Sequence, residues 1–271
     1  MNGASREALA AARERLDALT DNTSVDAAKL AEELAAVTAL LDREVSLRRV
    51  LTDPAQAGEA KAQLAERLLS GQVGGETVDL VSGMVRSRWS QSRDLVDAIE
   101  ELAATADLTA AHRAGALDDV EDELFRFGRI VASSPELRAA LTDRTATASA
   151  KGELLRSLLG GKANAVTERL VIRLVTAPRG RSLEAGLESF SKVAAARRSR
   201  MVAVVTSAVP LTDQQKQRLG AVLAKLYGHE MHLNLDVDPE VLGGISVRVG
   251  DEVIDGTIAD RIAEANRRIA G

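Results

Sequence analysis

The 271 residues carry 35 Lys+Arg against 40 Asp+Glu, a formal net charge of −5, with 45% apolar residues and only 2% aromatics. The acidic balance excludes nucleic acid as the main partner, because phosphate binding needs a basic face. The absence of cysteine excludes disulfides, thiolate metal sites and cysteine nucleophiles. A core in such a chain must come from Ala, Leu, Val and Ile, and that palette favours helices because Ala and Leu lose little freedom on entering one.

The first twenty residues carry Arg6, Glu7, Arg13, Glu14, Arg15 and Asp17 and lack the apolar run of a secretory signal. No segment approaches the ~18 consecutive apolar residues of a membrane span. A soluble, cytoplasmic chain is expected, with any membrane role reached through a partner. Thr23 with Asp26 reads as an N-terminal capping box. The helix after it places Leu30, Leu34, Val37 and Leu41 on one face.

From Leu47 the chain repeats itself 90 positions later. Leu47-Arg48 returns as Leu137-Arg138, Leu51-Thr52-Asp53 as Leu141-Thr142-Asp143, and Ala60-Lys61 as Ala150-Lys151. Leu64, Leu68-Leu69, Gly71, Thr77 and Leu80-Val81 return as Leu154, Leu158-Leu159, Gly161, Thr167 and Leu170-Val171. Fourteen of the 35 positions from Leu47 to Val81 are identical without a gap, which favours duplication over two hairpins of similar composition. In the second copy Leu124, Phe127, Ile130 and Val131 form the matching stripe, and Ser134-Pro135-Glu136 is a helix start with a capping hydroxyl and Pro at the first helical position. Gly74-Gly75, Gly160-Gly161 and Pro178-Arg179-Gly180 mark breaks. The last of these falls where the first copy has Arg88-Trp89-Ser90, and a lone Trp89 reads as a packing residue.

Near Met201 the period changes. Met201 to Thr206 reads as a strand, Pro210 ends it, and Thr212 with Gln215 caps a helix with Leu219, Val222, Leu223 and Leu226 on one face. Met231, Leu233, Leu235 and Val237 alternate with polar residues, as do Ile245, Val247 and Val249, which is the period of half-buried strands. Gly250-Asp251 matches a two-residue hairpin turn, Glu252 to Ile254 a return strand, and Thr257 with Asp260 the start of a last helix. The predicted fold is mainly α: two tandem helical bundles, 1–107 and 108–198, followed by a small α+β C-terminal domain, 199–271.

Candidate chemistry is thin. Gly243-Gly244 and Gly250-Asp251 do not belong to a Gly-x-x-x-x-Gly-Lys-Ser/Thr run, so phosphate cradling is set aside. His229 and His232 flank Glu230-Met231 but fall on opposite faces of a strand, so shared metal ligation is set aside too; His112 stands alone. Asp236 and Asp238 share a strand face with Asp255 nearby, a conceivable carboxylate pair better explained by turn and strand-end hydrogen bonding. Arg197-Arg198-Ser199-Arg200 reads as a solvated helix end. No catalytic residue, cofactor or metal ligand is expected.

The stretch Ala208-Val209-Pro210-Leu211-Thr212, then Asp238-Pro239-Glu240-Val241-Leu242-Gly243-Gly244, an alternating strand, and Gly250-Asp251-Glu252-Val253-Ile254-Asp255-Gly256-Thr257 resembles the delta subunit family of the rotary ATP synthase stator. The mitochondrial oligomycin-sensitivity-conferring protein has the same block. The resemblance covers roughly Asp118 to Gly271 and marks Gly243, Gly244, Gly250, Asp251, Asp255, Gly256 and Thr257 as structural turn and cap residues. It implies a stator connector at the cytoplasmic side of a bacterial membrane. In the family the bundle grips N-terminal helices of the alpha subunits, and the C-terminal part engages the b-type stalk. A typical member has one bundle, so the copy from Ala4 to Asp107 is additional. A helical regulatory adaptor that borrowed the C-terminal domain is the other reading.

Overall fold

The computed structural model describes residues 2–21, 24–200, 202–227, 231–238, 244–249 and 252–255. Among these, helices run as α1 Gly3–Asp21, α2 Ala27–Arg43, α3 Val45–Thr52, α4 Gly58–Leu69, α5 Gly75–Arg86 and α6 Ser92–Arg113. They continue as α7 Leu117–Ser133, α8 Pro135–Thr142, α9 Ala148–Leu159, α10 Ala165–Thr176, α11 Leu183–Arg200 and α12 Asp213–Tyr227. The strands are β1 Val202–Ser207, β2 His232–Val237, β3 Ile245–Val249 and β4 Glu252–Asp255. The expected mainly α architecture with a small sheet near the C-terminus is what forms. No helix among the described residues is long and apolar enough to cross a membrane.

Helix starts follow from local side-chain chemistry. Asp26 caps α2, its carboxylate accepting from the amides of Ala28 and Lys29 at 3.0 Å. Thr23, expected as the capping hydroxyl, lies outside the described residues. Ser134 caps α8 with Pro135 in its first turn, as the sequence signals. Thr212 and Gln215 form a reciprocal box: the Thr212 amide donates to Gln215 Oε1 at 2.8 Å and the Gln215 amide to Thr212 Oγ1 at 3.3 Å.

The duplication is also structural. Helices α2 to α5 begin at Ala27, Val45, Gly58 and Gly75, and α7 to α10 begin 90 residues later at Leu117, Pro135, Ala148 and Ala165. Gly71 and Gly161 occupy the same turn with φ of 75° and 70°, a conformation that glycine adopts without a Cβ penalty. One core gathers Leu9, Leu16, Leu30, Leu34, Val37, Leu41, Leu80, Ile99 and Leu102, and a second gathers Leu108, Leu124, Phe127, Val131, Leu155, Leu170, Leu174 and Phe190. Each fully buried Leu in these layers contributes about 1.5–3 kcal/mol. The stripe predicted on α2 is buried throughout. On α7 the stripe is corrected: Leu124, Phe127 and Val131 are buried, but Ile130 is 53% exposed, because it sits roughly 100° from Val131 around the helix.

The expected boundary between residues 107 and 108 falls inside α6, a single unbroken helix. Leu95, Val96, Ala98, Ile99, Leu102, Ala103 and Ala106 of α6 enter the first core, and Ala104, Leu108 and Ala111 enter the second. Both cores therefore belong to one compact unit, which extends to Ala194 within α11.

The second unit, from Ala195, contains a mixed sheet in the order β2-β1-β3-β4. β1 and β2 pair in parallel, which requires a crossover, and α12 supplies it. β3 runs antiparallel to both β1 and β4. Ala203, Val205, Val247 and Val249 form the buried face, covered by Leu223 with Leu219 and Tyr227 beside it. Those three α12 residues recur every four positions, and this replaces the broader stripe read from the sequence: Val222 and Leu226 face outward, 55% and 62% exposed. The Tyr227 hydroxyl donates to Glu252 Oε2 at 2.9 Å, and burial together with that carboxylate pushes the phenol above its usual pKa.

Candidate functional site

Within the glycine-rich block read from the sequence, β3 and β4 pair antiparallel. Gly244 carries φ of 86° and leads into β3, so a residue with a side chain there would be strained. Val249 pairs with Glu252, which leaves two residues between the strands, and Asp255 closes β4 opposite Ser246. Gly243, Gly250, Asp251, Gly256 and Thr257 lie outside the described residues, as does the final helix expected after them.

Of the three aspartates weighed from the sequence, Asp255 does not stand near Asp236. Asp236 pairs with Thr206, Thr206 with Ser246, and Ser246 with Asp255, so the two aspartates stand in one row at opposite edges of the sheet. Three strand spacings put their backbones roughly 14 Å apart. Asp238 is tied locally, its amide donating to the Ser207 carbonyl at 3.0 Å. His229 lies outside the described residues, His232 opens β2, and His112 sits in the last turn of α6. Among the described residues no three His, Cys, Asp or Glu side chains cluster as a metal site would require. In the basic run, Arg198 is exposed but Arg197 is buried, so Arg197 does not belong to a solvated helix end.

Trp89 packs as expected, its indole N–H donating to the Met84 carbonyl at 2.8 Å. A recess of about 430 Å³ opens beside it, between the end of α3 and the start of α6, with Val50, Pro54 and Trp89 as its apolar wall. In the second copy Arg179 replaces Trp89 at the equivalent position, with φ of 48°, and its guanidinium pairs with Glu100 of α6.

Two equivalent glutamates were not legible as functional from charge alone. Glu33 of α2 accepts from the Gly74 amide at 3.0 Å and the Thr77 hydroxyl at 2.5 Å. Glu123 of α7 accepts from the Asn164 amide at 2.9 Å and the Thr167 hydroxyl at 2.5 Å. Each carboxylate satisfies the N-terminus of the fifth helix of its bundle, where the helix dipole favours negative charge. Their recurrence at the repeat offset is the signal that could have found them.

Several large apolar side chains lie exposed on the described helices. Phe125 and Ile130 of α7 are 60% and 53% exposed, whereas their equivalents in the first copy, Ala35 and Leu40, are partly buried against the core. Leu68 and Leu158, equivalent residues of α4 and α9, are both exposed. On α12, Val222 and Leu226 form an exposed pair one turn apart. Apolar side chains held outward on helices suit recognition of a partner.

The fold and these surfaces define a class: a duplicated helical scaffold joined to a small α+β unit. The family model described as ATP synthase delta (OSCP) subunit matches residues 99–269, more than half of the chain, and begins at Ile99 within α6. The chain belongs to that family, a peripheral-stalk component of the F-type ATP synthase. It is 83% identical to "ATP synthase subunit delta" of Streptomyces griseus subsp. griseus over 271 residues, covering 100% of both chains. It is 51% identical to the protein of the same name from Thermobifida fusca, again over 100% of each. Among solved structures, a chain of the Toxoplasma gondii mitochondrial ATP synthase hexamer matches with a TM-score of 0.34 and 21% identity, covering 62% of this chain and 95% of that one.

Proposed function

We propose that this chain is a non-catalytic connector of the ATP synthase stator, holding the catalytic head to the membrane-anchored stalk against the torque of the rotor. The helical bundles receive N-terminal helices of the alpha subunits, and the C-terminal unit engages the b-type stalk. The protein then resides at the cytoplasmic face of the bacterial membrane as a peripheral part of the complex. The observation that carries this reading is the family match running from α6 through the sheet, on a fold that holds large apolar side chains outward on its helices. An amphipathic helix laid against such a surface buries a few large anchors, and those anchors hold most of the binding energy.

The adaptor reading rested on the additional bundle. That bundle is present in the full-length relatives that carry the delta subunit name, which favours the stator.

The test is a double variant, Phe125→Glu with Ile130→Glu. Both side chains are exposed, so the melting temperature should hold. Affinity of the full chain for an alpha-subunit N-terminal peptide should fall about 30-fold, the loss of a hot-spot contact of ~2 kcal/mol. Unchanged titration calorimetry would remove these two side chains of α7 from the interface.

A further inference from the structure

We propose that the two bundles are not separate modules but one hinge-free arm, built on α6 as the last helix of the first bundle and the first helix of the second. The mechanical use of such an arm rests on the stator reading; its existence does not.

The repeat itself assigns α6 twice. Residues 3–21 of α1 correspond at the repeat offset to residues 93–111, which lie in α6. Residues 92–110 of α6 correspond to 182–200, which take in α11. A chain of two beads would need a sixth helix, a linker and a new first helix. Here one helix of 22 residues, about 33 Å long, fills both places.

Polar ties then cross in both directions along it. Near its start, Arg93 donates to the Arg179 carbonyl of the second bundle at 2.5 Å, while Asp94 accepts from Ser5 Oγ of the first at 2.7 Å. In the middle, Glu100 pairs with Arg179 and, at 2.6 Å, with Arg181, while the neighbouring Glu101 accepts from Arg13 Nε of α1 at 2.6 Å. Farther on, fully buried Asp107 accepts from Arg169 Nε at 3.0 Å, Arg169 Nη2 at 2.7 Å and Arg173 Nη1 at 2.6 Å, all from α10. At its end, Arg113 reaches back to the first bundle and donates to the Val25 carbonyl at 2.6 Å and to the Thr20 carbonyl. Ties to the two bundles are interleaved along the length of α6, so a bend within it disturbs the contacts of both.

The additional bundle therefore lengthens the scaffold without adding a joint. Opening of either bundle exposes the apolar face of α6 that it covered and breaks its share of the polar ties, so the two should open together.

Native-state hydrogen exchange on the full chain, stepped through denaturant, tests this. The slowest amides of α2 and α5 and those of α7 and α10 should converge on one shared opening. Asp107→Asn should accelerate exchange in α10 and in α2 by the same factor, on the order of 100-fold. The wild-type measurement stands even if that variant does not fold. Two separate openings, or acceleration confined to α7–α11, would overturn the arm. Failure of the alpha-subunit peptide to bind would instead count against the stator reading and leave the exchange result untouched.

Discussion

Replacing Asp107 with Ala should lower the unfolding free energy of the helical unit by about 3 kcal/mol, the cost of leaving buried charges without their partner. The carboxylate is fully buried on α6 and accepts three hydrogen bonds from Arg169 and Arg173 of α10. Each guanidinium keeps some access to water, with 31% and 23% of its side chain exposed, which holds the loss below the upper end of the range for buried pairs. The triple variant Asp107→Leu, Arg169→Met, Arg173→Met should recover most of the stability, because it removes both signs of charge together. Urea titration followed by circular dichroism measures both. A loss below ~1 kcal/mol in the single variant would mean that water already screens the triad.

Removing residues 1–91 should leave a chain that aggregates or binds hydrophobic dyes. The cut keeps α6 whole but takes away the first core, into which Leu95, Val96, Ile99 and Leu102 are fully buried. Returning four such side chains to water costs about 1.5–3 kcal/mol each. The same truncation carrying Leu95→Gln, Val96→Thr, Ile99→Gln and Leu102→Gln should run as a monomer on gel filtration, since the second core draws on Ala104, Leu108 and Ala111 instead. A cut after Asp107 should be worse, because it also removes most of α6 and the carboxylate that holds Arg169 and Arg173. A stable monomeric truncation without the polar substitutions would contradict the shared use of α6.

Much of this architecture was written in local chemistry. The α2 stripe of Leu30, Leu34, Val37 and Leu41, the Ser134-Pro135 start and the Thr212–Gln215 box each depend on neighbours a few residues away, and each forms. The repeat was legible because identical residues at a fixed offset survive in turns and caps, such as Gly71 with Gly161. The sharing of α6 was missed because an offset comparison reads copies as separate lengths of chain. The signal was nevertheless in the helix itself. Leu95, Val96, Ile99, Leu102, Ala103, Ala104, Ala106 and Leu108 leave it apolar around most of its circumference, the mark of a helix enclosed on all sides.

The misplaced residues share a different cause. Ile130, Val222 and Leu226 are apolar and lie next to true core positions, so periodicity assigns them inward. An apolar residue kept for a partner looks the same in one sequence as one kept for the core. For that reason the exposed apolar residues could be told from the core only once burial was known, while the antiparallel pairing of β3 with β4 follows from local alternation and spacing.

The most direct test of the stator assignment is to isolate the ATP synthase from cells depleted of this chain and measure proton-driven ATP synthesis. The head should separate from the membrane-anchored stalk while its isolated ATP hydrolysis persists, and adding back the full chain should restore coupled synthesis. A head that stays attached and makes ATP without the chain would contradict the assignment.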